Sequence, residues 1–308
     1  MNKKILVIGS TNVDFLIKTD KLPGLGETVT DGFFMQNFGG KGANQAVGAV
    51  RAGGNIVFIT CLGEDFYAEE LIRNFMKDGI DVRYVFREMG VATGSALIML
   101  DCDGNNYLSV APGSNYRLTP DHIDSALQEF IEAELIVLQM EIPYDTTTHI
   151  FELAEKYQKR IVFNLAPARP FGLALLKYVY LFVVNEVEAS MVTGLKVVSD
   201  QEISDVANAL LDYGPEMVII TLGARGSFVA SKQLRQFVPA FKVKAIDTTA
   251  AGDVYCGSLA VALAEGKSLI DAVLFAGAAS AISVTKLGAQ PSAPIRKEID
   301  DFLRLNIN

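Results

Sequence analysis

A regular alternation of helical and apolar segments in the second half of the chain constrains the fold more than any other sequence feature. Each predicted helix is followed by a short apolar segment of strand length. The predicted helices cover residues 119–132, 145–158 and 199–212, a short one precedes 179, and the predicted strands cover 134–140, 160–166, 179–185 and 216–222. Repeated units of this kind form a parallel sheet with helices on both faces. The sequence therefore predicts an α/β fold.

The carboxyl ends of these strands mark the edge where ligands bind in parallel α/β sheets. Polar residues and a glycine stand at several strand ends, and we expect them to meet in one site. These candidates are Glu141, Asn185, Glu188, Gly223 and Asp253. The apolar run 4–9 is likewise a predicted buried strand, followed by Asn12 and Asp14 on one face of an extended segment. Asn12 and Asp14 could hold a polyol, although an Asx turn explains them equally well.

The seven residues Asp247-Thr-Thr-Ala-Ala-Gly-Asp253 are the strongest candidate for catalysis. We expect an apolar strand over 241–246 before them and a helix of small residues over 254–264 after them. The N–H groups of such a turn and of the first helical turn can bind an anion. A carboxylate beside that spot, Asp253, suits a general base next to a phosphate under attack. Helix capping is the simpler explanation of Asp253 taken alone.

A second, smaller sheet is predicted from two segments that break the helix–strand alternation. Residues 15–38 contain short alternating pieces separated by turn residues, which indicates an antiparallel ribbon. Residues 93–101 and 106–111 flank Cys102-Asp-Gly-Asn105, which indicates a hairpin with Asp-Gly in its turn. A sheet this small is not stable alone, so it should be covered by a partner or close over a ligand.

Charge and composition exclude several classes of function. The net charge of −9, without a block of like charges, argues against nucleic acid or an anionic membrane as the main partner. No segment approaches the ~18 continuous apolar residues of a membrane span. No linker or low-complexity stretch divides the 308 residues, so we expect a single domain over 1–308.

The scarcity of cysteine and histidine narrows both the compartment and the chemistry. Cys61, Cys102 and Cys256 fit neither a zinc site nor a disulfide framework, which favours a reducing cytoplasm. His122 and His149 lie in predicted polar helices and are expected at the surface. Catalysis must then rest on carboxylates, lysine or backbone groups.

Seven short motifs stand in order between Gly9 and about Phe302. They are Gly9-Ser-Thr-Asn-Val-Asp14, Gly39-Gly-Lys-Gly-Ala-Asn-Gln-Ala46, Met140-Glu141, Asn185-Glu-Val-Glu188, Thr221-Leu-Gly-Ala-Arg-Gly226, the turn 247–253 and Gly288-Ala-Gln-Pro-Ser292. Together they resemble the ribokinase-like family of carbohydrate kinases over nearly the whole chain. The resemblance implies a central, mostly parallel sheet flanked by helices on both faces, with a small β-sheet lid built from segments near 14–37 and 90–111.

The resemblance implies transfer of the γ-phosphoryl group of ATP to a sugar hydroxyl. Asp253 would take the hydroxyl proton, and the backbone of Ala250, Ala251 and Gly252 would form the anion hole. The residues implied for the sugar are Asn12, Asp14, Gly39, Gly40, Lys41, Asn44, Glu141 and Asp253. They imply D-ribose, phosphorylated at its 5-hydroxyl, ahead of fructose, deoxyribose, ketodeoxygluconate or a nucleoside. A sugar sensor without catalysis is the more distant alternative, against which the intact Asp253 and Glu188 argue.

The resemblance also implies positions for the nucleotide and for two ions. The nucleotide residues are Asn185, Glu188, Thr221, Gly223, Ala224, Arg225, Gly226, Gly252 and Gly277. Glu188 would organise Mg²⁺, partly through water, since this hard cation is held by few carboxylates and by phosphates. Potassium would lie behind the anion hole, held mostly by carbonyl groups. Its implied ligands are Asp247, Thr249, Ser283, Lys286, Gly288 and the Ser292 side chain.

The resemblance further implies a homodimer in which the lid sheets of two subunits pack together. Candidate buried lid residues are Phe33, Phe34, Ile98 and Met99, and the alternative is that they fold onto their own domain. Two departures from the family pattern concern the nucleotide side. Tyr255 replaces a frequent Phe, so its hydroxyl needs a partner. Gly277 stands where Asn or His is common near the adenine, which puts base contacts there in doubt.

Overall fold

A computed structural model describes residues 3–103 and 105–306, and these form two sheets. The strands are β1 (Lys4–Ile8), β2 (Asn12–Lys18), β3 (Phe33–Gly39), β4 (Asn55–Gly63), β5 (Asp81–Glu88), β6 (Gly94–Leu100), β7 (Asn106–Ala111), β8 (Leu135–Leu138), β9 (Arg160–Asn164), β10 (Leu181–Asn185), β11 (Met217–Thr221), β12 (Ser227–Ser231) and β13 (Arg235–Val238). The α-helices are α1 (Lys41–Arg51), α2 (Phe66–Asp78), α3 (Pro120–Ser125), α4 (Leu127–Glu132), α5 (Tyr144–Lys156), α6 (Glu186–Thr193), α7 (Asp200–Asp212), α8 (Ala251–Ala264), α9 (Leu269–Ser283) and α10 (Arg296–Asn306).

The large sheet confirms the predicted α/β architecture. Its strand order is β13-β12-β11-β10-β9-β8-β1-β4-β5, and the strands from β11 to β5 are paired in parallel. The last two strands at one side of the sheet were not predicted; β12 pairs antiparallel with β11, and the edge strand β13 pairs antiparallel with β12. All the parallel strands end at one edge, which is where the loops carrying the candidate residues lie.

Side chains of β1 alternate between the two faces of the large sheet and reach two separate apolar cores. Ile5 and Val7 belong to the core shared with α1, α2, α8 and α9. Leu6 and Ile8 belong to the core shared with α3 to α7. Helix α8 is apolar almost all round and is therefore buried from Asp253 to Ala264. Within the described ranges, no helix combines the length and apolarity needed to cross a bilayer.

Two predicted elements differ from the structure. The segment 241–246 forms no strand and belongs to neither sheet; its apolar side chains Phe241 and Val243 line a cavity instead of a sheet face. Ile246 N–H and Asp247 N–H donate to the Val284 carbonyl at the end of α9. The predicted helix 119–132 is interrupted at Ala126, so that α3 and α4 are separate short helices.

The small sheet has the order β3-β2-β6-β7. Its β2–β3 and β6–β7 pairs are antiparallel as predicted, whereas the central β2–β6 pair is parallel. The predicted turn glycine Gly104 lies outside the described residues. The pairing places Phe33 and Ile98 on one face of the lid and Phe34 and Met99 on the other, so the four candidates do not share one buried face.

Candidate active site

Close packing of α1 against α8 brings the predicted base, Asp253, beside the glycine-rich motif. A Cβ atom at Gly257 of α8 would lie 2.3 Å from the Gln45 carbonyl oxygen, so the crossing requires glycine. Asp253 stands one turn earlier on the same helix face. Its Oδ2 accepts a hydrogen bond from Asn44 Nδ2 at 3.1 Å, and its Oδ1 accepts one from Gln45 Nε2 at 3.0 Å. The carboxylate is 7% exposed and lines a polar cavity.

The turn before α8 has the form of an anion site. Ala250 has a left-handed backbone with φ of 59°, a conformation that costs about 1–3 kcal/mol for a residue with a Cβ atom. It turns the chain sharply into the helix, whose first N–H groups lack intrahelical partners. A Cβ atom at Gly252 would meet no atom within 4 Å, so the space above the helix start is open. Ala251 N–H, predicted for the anion hole, already donates to the Thr248 carbonyl at 3.2 Å.

Four carboxylates and one lysine form the charged centre of the site. They are Asp14, Glu141, Glu188, Asp253 and Lys41. Asp253 foremost, with Glu141 and Glu188, raises the pKa of Lys41. Burial, with the charges of Glu141 and Asp253, raises the pKa of Asp14 to about 6. This excess of negative charge favours a ligand that donates hydrogen bonds, such as a neutral polyol.

Close contacts of the backbone at the start of α1 fix the residues predicted to bind a polyol. A Cβ atom at Gly39 would lie 2.1 Å from Asp14 Oδ2, and Gly40 has a positive φ of 87° as the chain enters α1. Lys41 N–H donates to Glu141 Oε2 at 3.0 Å, and Ser10 Oγ donates to the same oxygen. The predicted sugar residues therefore converge, although they come from β2, β3, α1 and the loop after β8.

Asn12 is fixed by a partner that sequence reasoning missed. Its Oδ1 accepts a hydrogen bond from Asn115 Nδ2 at 2.8 Å, and Asn115 Oδ1 accepts one from Thr11 N–H at 2.8 Å. Asn115 follows β7 of the lid, some hundred residues later in the chain. Only the pairing of the lid with β2 brings the two side chains together.

Two cavities adjoin at the start of α8. The smaller, of about 250 Å³, is polar and is lined by Lys41, Asn185, Glu188, Gly252 and Asp253 among others. The larger, of about 470 Å³, is mostly apolar and is lined by residues including Thr221, Gly223, Ala224, Gly226, Phe241, Tyr255 and Gly277. Thr221, Thr248, Ala251 and Gly252 line both. A ligand with an apolar ring at one end and charged groups at the other would fit this shape.

Asn185 and Glu188 form a capping box at the start of α6. Asn185 Oδ1 accepts from Glu188 N–H, and Glu188 Oε2 accepts from Asn185 N–H, both at 2.8 Å. Glu188 is nevertheless buried at the polar cavity, and burial foremost raises its pKa. A capping role alone does not require a carboxylate at such a buried position. A cation in the cavity would compensate this buried negative charge.

The structure does not bring the Arg225 side chain into either cavity. Its guanidinium donates to the Val198 carbonyl and pairs with Asp200 at 2.8 Å, at the start of α7. The hydroxyl of Tyr255 finds its partner in Ser227 Oγ at 3.2 Å. Gly277 lines the apolar cavity, where a Cβ atom would contact only Phe241, at 3.8 Å.

Hydrogen bonds link the residues predicted to hold potassium. Asp247 Oδ1 accepts from Thr249 N–H and Oγ1, at 2.9 and 2.6 Å, and Asp247 Oδ2 accepts from Gly288 N–H at 2.8 Å. Although burial acts to raise it, these bonds lower the pKa of Asp247. Ser283 Oγ and Ser292 Oγ lie 2.7 Å apart, both buried. The Lys286 side chain points outward to Glu298. A charged carboxylate that links this turn to the loop at Gly288 is compatible with a monovalent cation nearby.

The residues 3–103 and 105–306 contain no cluster of three or more His, Cys, Asp or Glu side chains arranged to hold a metal ion. A magnesium ion at Glu188 would therefore take most of its ligands from nucleotide phosphates and water.

Sequence reasoning also missed Ser10, Gln45, Gln139 and Asn164, which support the site residues. Gln45 stood inside a quoted motif, but no local pattern indicated that it contacts Asp253.

Comparison with known proteins agrees with this geometry. The family model described as pfkB family carbohydrate kinase matches residues 2–296. The chain is 36% identical over 302 residues to a ribokinase of Staphylococcus aureus, covering 97% of this chain and 99% of that protein. It is 34% identical over 303 residues to a deoxyribokinase of Salmonella typhi, covering 98% and 99%.

The structure is also similar to that of Arabidopsis thaliana ribokinase complexed with ribose and ATP. The TM-score is 0.91 at 29% identity, and the match covers 99% of both chains. The predicted ribokinase-like fold and sugar kinase activity are thereby confirmed. The chain belongs to the pfkB family of carbohydrate kinases.

Proposed function

We propose that the protein transfers the γ-phosphoryl group of ATP to the 5-hydroxyl of D-ribose. The position of Asp253 carries this proposal, because it contacts Asn44 of the sugar-side helix and also lines the polar cavity. One carboxylate thus stands between a site suited to a polyol and a site suited to a nucleotide. Full-length similarity to ribokinases, one of them complexed with ribose and ATP, supports these two substrates.

In the proposed reaction each group has a distinct task. Asn12, Asp14 and Glu141 hold sugar hydroxyls so that the reacting hydroxyl faces Asp253. Asp253 accepts the hydroxyl proton while the oxygen attacks the γ-phosphorus, and the bond to the β-phosphate oxygen breaks. N–H groups at the start of α8, together with Lys41, stabilise the transferring group. Mg²⁺, when bound near Glu188, would neutralise phosphate charge.

Acceptor specificity tests the proposal. ADP release by the purified protein should be measured with ribose, 2-deoxyribose, fructose, ketodeoxygluconate and nucleosides at matched concentrations. We expect the largest kcat/KM for ribose. Deoxyribose is the second candidate acceptor, because the chain is also similar to the Salmonella deoxyribokinase. A larger kcat/KM for deoxyribose than for ribose would identify deoxyribose as the substrate. Because one missing hydroxyl leaves buried polar groups unpaired, the two sugars should differ by about tenfold or more.

Potassium is expected to activate the enzyme. The charged Asp247 organises both the turn before α8 and the loop at Gly288, so a cation there would stabilise the anion site from behind. Initial rates should be higher in potassium chloride than in sodium or choline chloride at equal ionic strength. Equal rates in the three salts would contradict this cation site.

We also propose that two copies pair through the lid. Phe33 and Leu108 are 66% and 61% exposed on one face of the lid, and Phe34 and Leu97 are 55% and 61% exposed on the other. This much exposed apolar area is unusual for a monomer. Sedimentation equilibrium should give a mass of about twice 33.3 kDa. Phe33→Asp should lower it to the monomer mass, whereas Leu305→Asp on the exposed face of α10 should not. A monomeric wild type would contradict the proposal.

A reducing cytoplasm remains the proposed compartment. Cys61, Cys102 and Cys256 are unpaired in the structure, and Cys61 and Cys256 are buried. Thiol titration of unfolded protein purified without reductant should detect all three. A lower value would indicate disulfide formation and contradict this compartment.

A further inference from the structure

A chain of buried amides runs from the end of β8 to Asp253. Gln139 Nε2 donates to Gln45 Oε1 at 2.7 Å. Gln45 Nε2 then donates to Asp253 Oδ1 at 3.0 Å and to Asn164 Oδ1 at 3.1 Å. Asn164 Nδ2 donates in turn to the Val183 carbonyl at 3.2 Å. Gln45 and Gln139 are both 0% exposed, so solvent does not reach the hydrogen bond between these two amides.

The direction of this chain is fixed by its two ends. Rotating the Gln45 amide by half a turn would direct its oxygen at Asp253 Oδ1 and Asn164 Oδ1, both of which are acceptors. The Asn164 amide cannot rotate to offer a donor to Gln45, because its Nδ2 already donates to the Val183 carbonyl. At the other end, Gln139 Oε1 is buried and has no hydrogen-bond partner among the described residues. Gly9 provides the space for that oxygen, since a Cβ atom there would lie 2.1 Å from it.

An unpartnered buried acceptor is unfavourable by about 1–3 kcal/mol, so its presence requires a compensating interaction. The alternative orientation of Gln139 would direct its oxygen at Gln45 Oε1 and break the chain. The observed orientation therefore favours the donor to Asp253 at the expense of satisfying Gln139. This asymmetry separates the amide chain from ordinary core packing.

We propose that Gln45 is a positioning residue for the reaction. It holds Asp253 Oδ1 through a buried donor and thereby leaves Oδ2, beside Asn44, as the oxygen that accepts the sugar proton. Gln45 does not touch the substrate, because both its N–H groups and its oxygen are occupied inside the protein. The inference rests on the proposed sugar kinase function and adds the group that orients the base.

Gln45→Met tests the role, since methionine nearly keeps the volume and removes the amide. We expect kcat to fall by about 10–100-fold through misorientation of the base, with the KM for the sugar changed by less than about threefold. Gln139→Met should cause a smaller loss that is not additive with Gln45→Met.

Thr146→Val is the matched control. It removes another buried hydrogen bond, from Thr146 Oγ1 to the Leu118 carbonyl, far from Asp253 in the chain. Thermal unfolding should show comparable destabilisation in the control and the Gln45 variant, with kcat reduced only in the latter. If Gln45→Met does not fold, Gln139→Met provides the same readouts without touching Asp253.

Two results would overturn the proposal: an unchanged kcat in a folded Gln45→Met variant, or fully additive losses in the double variant. A failure of the proposed kinase function can be distinguished from a failure of the Gln45 proposal. It would appear as wild-type protein that phosphorylates no sugar, before any variant is compared.

Discussion

Replacing Asp253 with Asn is expected to lower kcat by about 10²–10⁴-fold, the range over which a general base contributes to catalysis. The amide keeps the size of the side chain, and its oxygen can still accept from Gln45. Its NH2 group would face Asn44 Nδ2, so Asn44 must rotate and present its Oδ1, which has no partner among the described residues. The amide cannot accept the proton of the sugar hydroxyl. Binding of ATP and of the sugar should persist. Steady-state kinetics combined with calorimetric titration of each substrate would separate turnover from binding.

Asp271→Asn is the control for the simpler explanation that Asp253 only stabilises the start of a helix. Asp271 also stands in the first turn of a helix, α9, where it bonds to Ser268 at the surface. Both substitutions should weaken helix-start electrostatics by about 0.3–1 kcal/mol. Only Asp253→Asn should cause the large fall in kcat. Equal kcat values for the two variants would leave helix capping as the sole role of Asp253. A wild type that binds the sugar without turning it over would instead favour the sensor alternative.

The contrast between Asp253 and Gln45 indicates how far the sequence could predict the site. The position of Asp253 follows from local features, because a small-residue turn before an apolar helix predicts a helix start and hence an anion site. The position of Gln45 depends on how closely α1 approaches α8, which is set by Gly257 on the other helix. Contacts between elements distant in the chain leave no periodic signal in either segment.

The errors have the same origin. The apolar residues of 241–246 predict a strand, because an apolar pattern indicates that side chains are kept from water. The pattern does not indicate whether a sheet partner or a ligand covers them. In the structure Phe241 and Val243 line the apolar cavity, a position that an apolar ligand would cover. Arg225 shows a second kind of error. Its motif predicts where the residue lies along the backbone, but its side chain turns away from the cavities to pair with Asp200. Fold class was therefore more predictable than side-chain direction.

Asp14→Asn is expected to weaken sugar binding by about 10–100-fold, since a hydrogen bond to a charged group contributes about 1.5–3 kcal/mol. The same substitution should stabilise the sugar-free protein at neutral pH. Burial first, and then Glu141 and Asp253, disfavour the charged form of Asp14 and raise its pKa from 3.8 to about 6. The charged Asp14 therefore binds the sugar but lowers the stability of the sugar-free wild type, as is common for residues at functional sites.

The sign of the pH dependence follows from proton binding. Between pH 3.8 and about 6 the folded protein keeps the Asp14 proton that the unfolded chain has lost, so stability falls as the pH rises through this window. Asn does not titrate. The variant should therefore gain stability over the wild type from about pH 4 upward, reaching at most about 3 kcal/mol above pH 6. Urea unfolding of both proteins between these limits measures the difference directly.

Asp81→Asn provides a control with the opposite sign. Hydrogen bonds from Arg83 foremost lower the pKa of Asp81, so its contribution to stability is present at neutral pH and is lost as the pH falls. Asp81→Asn should therefore be less stable than the wild type at pH 7, with the difference closing in acid. If Asp14→Asn behaved in the same way, Asp14 would be a structural carboxylate held by favourable partners. A stabilised Asp14 variant that no longer binds the sugar would instead identify a charge kept in an unfavourable place because the ligand needs it.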